Sequence, residues 1–168
     1  LLFLCSRLGT WSVDFRYLLC KRKMETQEHR FEIKGGRNGM IDWEKMIAKA
    51  ESVCNPRELS QSSFAASVGA AIVTEQGNIY TGVCIDTPCS MGFCAEHAAA
   101  ATMITAGENR ILGVVAVHKK EDGSFEVIPP CGRCREFLCQ LHDDNHLAQV
   151  KLSDRVVTLD DLLPFRWK

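Results

Sequence analysis

From Ile41 onward, the apolar positions Ile41, Met46, Ile47, Ala50 and Val53 recur at roughly helical spacing, with Asp42 placed to cap the segment before Trp43. The spacing predicts a helix that stops before Pro56, because a proline pushes the preceding residue out of the helical region. Two β-rich runs follow, 67–74 and 78–86, joined by Glu75-Gln76-Gly77, whose length and glycine suit a hairpin. The alanine-rich stretch 94–106 predicts a second helix closed by Gly107. Ile111 to His118 is almost uniformly apolar and β-forming, the pattern of a central strand covered on both faces. After a polar turn over 119–124, residues 131–142 predict a third helix entered through Pro129-Pro130, with Phe137, Leu138 and Leu141 on its inner face. Short strands near 148–152 and 156–158 and a terminal turn over 159–163 complete the pattern. This order predicts an α/β fold with a mixed sheet of about five strands between helical layers.

Residues 21–39 break the regularity with a charged stretch that ends in Gly35-Gly36-Arg37-Asn38-Gly39, a composition unsuited to tight packing. Residues 1–39 are therefore expected to form an N-terminal extension, poorly ordered or non-native, ahead of one domain over 40–168. The run 1–20 is apolar, yet Arg7, Asp14 and Arg16 interrupt it, so it suits neither a signal peptide nor a membrane helix. At 168 residues and 46% hydrophobic content the chain suits a single soluble domain. A formal charge of −1 leaves no basic excess for gripping a phosphate backbone, which favours a small ligand over a nucleic acid. Nine cysteines at irregular spacings do not make a disulfide scaffold in a chain of this length; free thiols and a metal in a reducing cytoplasm are the simpler reading.

The chemistry concentrates in a split cysteine set. Cys94-Ala95-Glu96 is followed, after 34 intervening residues, by Cys131-Gly132-Arg133-Cys134. Cys94 and Cys131 both fall where a helix is expected to begin, and helix N-termini stabilise thiolates. Three thiols on one zinc leave a coordination position open for water, whereas a structural zinc takes four protein ligands. Glu96 is placed to flank that open position as a proton carrier. Three thiolates give the zinc centre a net charge of about −1, and Arg133 is placed to donate hydrogen bonds to the sulfurs and offset it. A closed site of Cys94, His97, Cys131 and Cys134 is the non-catalytic alternative, and a redox pair of Cys131 and Cys134 is another.

Cys-Ala-Glu followed by Pro-Cys-Gly-Arg-Cys-Arg resembles the zinc-dependent cytidine deaminase family, and within it the blasticidin S deaminases, whose signature has this form. The resemblance extends over roughly 41–167, through Val68-Gly69-Ala70-Ala71, Thr81-Gly82-Val83 and Leu162-Leu163-Pro164. It implies the family's three-layer α/β/α sandwich, zinc held by Cys94, Cys131 and Cys134, and Glu96 carrying protons during hydrolytic loss of the C4 amine from a cytosine nucleoside or analogue. It further implies a homotetramer, with no nucleic-acid or membrane partner. By position, Cys84, Asp86 and Ala95 would face substrate, and Phe165 and Trp167 would close the site, sometimes against a neighbouring subunit. This chain departs from the family's habit where Cys84 and Asp86 replace an asparagine and a glutamate, where Ala66 replaces an aromatic, and where His97 replaces an arginine after the glutamate. Deamination of another amino-heterocycle, or a zinc-stabilised binding domain, are the competing readings.

Overall fold

The computed structural model describes residues 40–167; the expectation for residues 1–39 lies outside the described residues. Helix α1 runs Trp43–Val53, and Asp42 caps it as expected, its side chain accepting from the Lys45 N–H at 3.0 Å. Strands β1 (Arg57–Ser60), β2 (Ser63–Thr74) and β3 (Ile79–Asp86) follow, then α2 (Ala95–Thr105), β4 (Ile111–Lys119), β5 (Phe125–Ile128) and α3 (Gly132–Gln140). A 3-10 turn at Asp143–Leu147 leads into β6 (Gln149–Lys151), β7 (Val156–Thr158) and the short helix α4 (Leu159–Leu162).

The sheet is mixed, and it has seven strands where the pattern predicts about five. Its backbone order is β1-β2-β4-β6-β7, with β3 paired to β2 and β5 to β4; β4 and β6 are parallel and the other pairs antiparallel. The two additional strands are β1 and β5. Every residue of β1 is exposed, so no buried face marks it in the sequence. Strand β5 is four residues long and half-exposed, and is held by pairing with 116–119 of β4 across the expected polar turn.

Alternation along β2 and β4 builds the two cores, since successive side chains point to opposite faces. Ala71, Val73, Val115 and Val117 face α1 and meet Met46 and Ala50. Ala70, Ile72, Val114 and Ala116 face the other way and meet Ala99, Ala100 and Met103 of α2 with Leu138 and Cys139 of α3. The architecture is thus a three-layer α/β/α sandwich. Helices α2 and α3 share one layer, and that brings the two halves of the cysteine set together.

Candidate active site

Cys94 is the N-cap of α2 and Cys131 the N-cap of α3; neither side chain caps its own helix, which leaves both sulfurs free to turn elsewhere. Cys134 sits on the first turn of α3 and is fully buried. The Sγ atoms of Cys94 and Cys131 are 3.6 Å apart, those of Cys131 and Cys134 3.5 Å, and all three lie within 4.8 Å of one another. A tetrahedral zinc about 2.3 Å from each sulfur requires separations of about 3.8 Å, so the set fits that ion. His97 touches one sulfur, its Nδ1 lying 3.4 Å from Cys134 Sγ, but does not join the mutually close group, so the closed four-ligand arrangement is not formed.

Glu96, in the first turn of α2, is 4% exposed. Burial pushes its carboxyl above the usual carboxylate range, against smaller opposing contributions from its own backbone N–H and the Cys134 thiol. The sulfurs differ from one another. Burial raises the Cys94 and Cys134 thiols, and the Glu96 carboxylate adds to both. Burial pushes Cys131 upward too, but the backbone N–H groups of Cys134 and Arg133 and the neighbouring thiols outweigh it and hold Cys131 below the ordinary thiol value. A dication among them removes the obstacle for all three, because a coordinating thiol is deprotonated outright. Burial lowers His97, and the nearby charge of Arg133 lowers it further.

Cys94, Glu96 and Cys131 line the floor of a cleft of about 420 Å³, while Cys134 is buried and does not line it. Its walls come from the start of β2 at Ser67 and Val68, the end of β3 at Cys84 and Asp86, the loop 87–93, Ile128 of β5, and Arg133. Ala95 lines it directly beside Glu96. Cys84 lines it as well, but the thiol is buried and engaged: it contacts Ser67 Oγ at 3.3 Å, accepts from the Val68 N–H at 3.3 Å, and donates to Asp86 Oδ2 at 3.6 Å. Cys84 therefore acts as a prop under Asp86.

Two expectations meet a different geometry. Arg133 is exposed on the cleft rim, and its guanidinium has no hydrogen bond to a sulfur among the described residues; only its backbone N–H reaches Cys131. Phe165 and Trp167, 83% and 74% exposed, do not line the cleft. Beyond α4 the chain is drawn along α3, where Trp167 N–H donates to Glu136 and Arg166 pairs with Asp160 at 3.7 Å, and both rings face outward. Ser67, Ile128 and the 87–93 loop with Phe93 also line the cleft; their place there follows from strand pairing and carries no local signal in the sequence.

The family model described as the cytidine and deoxycytidylate deaminase zinc-binding region matches residues 40–149. Cytidine deaminase of Mycobacterium tuberculosis is 30% identical over 125 residues, covering 74% of this chain and 88% of that protein. Blasticidin-S deaminase of Bacillus cereus is 30% identical over 107 residues, covering 60% and 76%. Among solved structures, cytidine deaminase from Mycobacterium tuberculosis aligns with a TM-score of 0.63 at 26% identity, covering 77% of this chain and 99% of that one. The enzyme from Burkholderia pseudomallei aligns with a TM-score of 0.60 at 25% identity, covering 76% and 100%. Taken with three converging thiols beside a buried glutamate, a match over most of the chain means that it belongs to the zinc-dependent hydrolases of the cytidine and deoxycytidylate deaminase family.

Proposed function

We propose that this protein hydrolytically deaminates a free cytosine nucleoside or close analogue, such as cytidine, deoxycytidine or a blasticidin S-like compound, converting the C4 amine to a carbonyl and releasing ammonia. The observation that carries this reading is the placement of Glu96, buried and raised toward its protonated form, at the cleft floor beside three mutually close thiols, two of which, Cys94 and Cys131, line the cleft. Cys94, Cys131 and Cys134 hold the metal. Zinc bound there supplies a Lewis acid that makes water nucleophilic near neutral pH.

Glu96 accepts a proton from the attacking water and delivers it to ring N3 as the C4–O bond forms. It then carries the second water proton to the amine nitrogen as the C4–N bond breaks and ammonia leaves. A carboxyl raised by burial suits both directions of transfer, because a proton carrier works best with its pKa near the working pH. Val68, Phe93 and Ile128 offer apolar walls to the ring, with Ala95 against its amine-bearing edge. Asp86, propped by Cys84, accepts hydrogen bonds from sugar hydroxyls. The cleft volume suits a small ligand, and net charge supports no polynucleotide track.

Residues 40–168 are proposed as the catalytic domain, working as a cytoplasmic homo-oligomer, by the family's habit a tetramer. Exposed Phe64, Met91, Phe165 and Trp167 supply apolar surface for subunit contacts, and free thiols suit a reducing compartment. The test is ammonia release from cytidine, deoxycytidine and blasticidin S by the zinc-loaded protein. Glu96→Gln is expected to keep one zinc per chain and lose at least about 10²-fold in turnover. Undiminished turnover in that variant refutes the role of Glu96, and no release from any of the three substrates refutes the substrate class.

A further inference from the structure

The helices that carry the cysteine set are joined by a second contact just outside it. His97, on α2, stacks on Phe137 of α3 with ring centroids 4.2 Å apart and planes inclined by 11°. The same imidazole places Nδ1 3.4 Å from Cys134 Sγ, within reach of a nitrogen-to-sulfur hydrogen bond. Stacking fixes the plane of the ring, so Nδ1 is held toward the sulfur. Cys134 is the most deeply buried of the three thiols, and Arg133, the cation expected to serve the sulfurs, stands on the rim with no such contact.

We propose that His97 is a positioning residue for the metal centre: its Nδ1–H donates to the Cys134 thiolate, fixing the direction of that ligand and drawing off part of its negative charge. The inference rests on the reading of Cys94, Cys131 and Cys134 as zinc ligands. A ligating thiolate carries no proton, so it can only accept, and the hydrogen must sit on Nδ1. Three thiolates on one dication leave an excess negative charge, and a hydrogen bond to sulfur relieves it without adding a fourth ligand. Phe137 is essential to the arrangement, because without the stack an imidazole on the first turn of α2 is free to rotate away from the sulfur.

Two measurements test it. In the zinc-loaded protein, long-range ¹H–¹⁵N correlation of the His97 ring is expected to show the proton on Nδ1; the Nε2–H tautomer overturns the proposal without any variant. Zinc affinity by chelator competition, with the thiolate-to-metal band of the cobalt-substituted protein, is then compared among variants. His97→Phe keeps a stacking ring and loses the donor; it is expected to weaken zinc binding about 10- to 100-fold and shift the cobalt band. His97→Asn, which returns an N–H near the Nδ1 position but gives up the stack on Phe137, is expected to recover part of both. A His97→Phe protein with unchanged zinc affinity and an unchanged cobalt band overturns the inference while leaving the zinc site intact. Failure of the wild-type protein to take up one zinc per chain overturns the zinc reading and this inference with it.

Discussion

Two of the described carboxylates are buried, Glu96 and Glu108, and their surroundings drive them in opposite directions. Burial raises Glu96. Burial also acts to raise Glu108, but the Thr74 hydroxyl, the Tyr80 hydroxyl at 2.5 Å and the Asn78 amide at 2.6 Å donate to it and together hold it below the usual carboxylate range. Glu96 is thus suited to exchanging a proton, and Glu108 to remaining charged as a tie between β2, β3 and the end of α2. A depressed folded-state pKa adds stability that is fully present above the unfolded value of about 4.3 and is lost as pH falls through the folded value. Glu108→Gln is therefore expected to lower the urea midpoint at pH 7, and the gap from wild type should close below about pH 4. A gap independent of pH between 3 and 7 would contradict the tie. Asn145 shows the same logic without charge. It is fully buried; its amide donates to the carbonyls of Asn109 at 3.0 Å and Leu138 at 2.9 Å, and its oxygen accepts from Ile111 N–H at 2.8 Å. Asn145→Ala removes a buried partner from each of those three backbone groups and is expected to cost about 1–3 kcal/mol in chemical denaturation.

At the scale of elements, the seating of α2 decides the site, because its first turn carries Cys94 and Glu96. Gly82 on β3 lets α2 approach closely: a Cβ there would lie 2.2 Å from Ala99 N and 2.6 Å from Ala98 Cβ. Backbone cannot yield as a flexible side chain can, so Gly82→Ala is expected to cost about 1–3 kcal/mol and to reduce zinc retention by displacing the first turn of α2. Gly132, between the two α3 cysteines, is the control. A Cβ there meets nothing within 4 Å, and Gly132→Ala is expected to keep zinc and leave stability unchanged or raised by up to about 1 kcal/mol. The helices and the interior strands were legible in the sequence, because their apolar periodicity reports burial directly. Strands β1 and β5 were not, because they are held chiefly by ladder hydrogen bonds and bury little. Strand β2 also begins at Ser63, ahead of the apolar run, and continues through Ala66 at φ 64°, a left-handed residue within a register shift that periodicity does not reveal.

For the whole molecule, the metal would join α2 to α3, which β4 and β5 separate in the chain, tying together segments far apart in sequence. Anything that binds only the folded state stabilises it by mass action, about 4 kcal/mol at a thousandfold excess over Kd. Chelation is therefore expected to abolish turnover and lower the melting temperature by on the order of 10 °C, with both restored by added zinc. An apo protein that melts at the temperature of the zinc-loaded form would argue against a metal bridging those helices. None of the described helices is long and apolar enough to cross a membrane.

The sequence by itself determined the order of helices and interior strands and the two places where cysteines meet helix starts, with Glu96 two residues after the first of them. Each of these depends on neighbours within a few residues, so periodicity, capping and motif spacing record them. Only the tertiary structure decided what surrounds that chemistry. It set Cys84 as a prop for Asp86, placed Arg133 on the rim and His97 against Cys134 Sγ, and turned Phe165 and Trp167 outward. Those contacts form between residues brought together by sheet pairing and by the packing of α2 beside α3. A side chain's partner across such an interface depends on the direction in which each helix presents it, which the linear order of residues does not state.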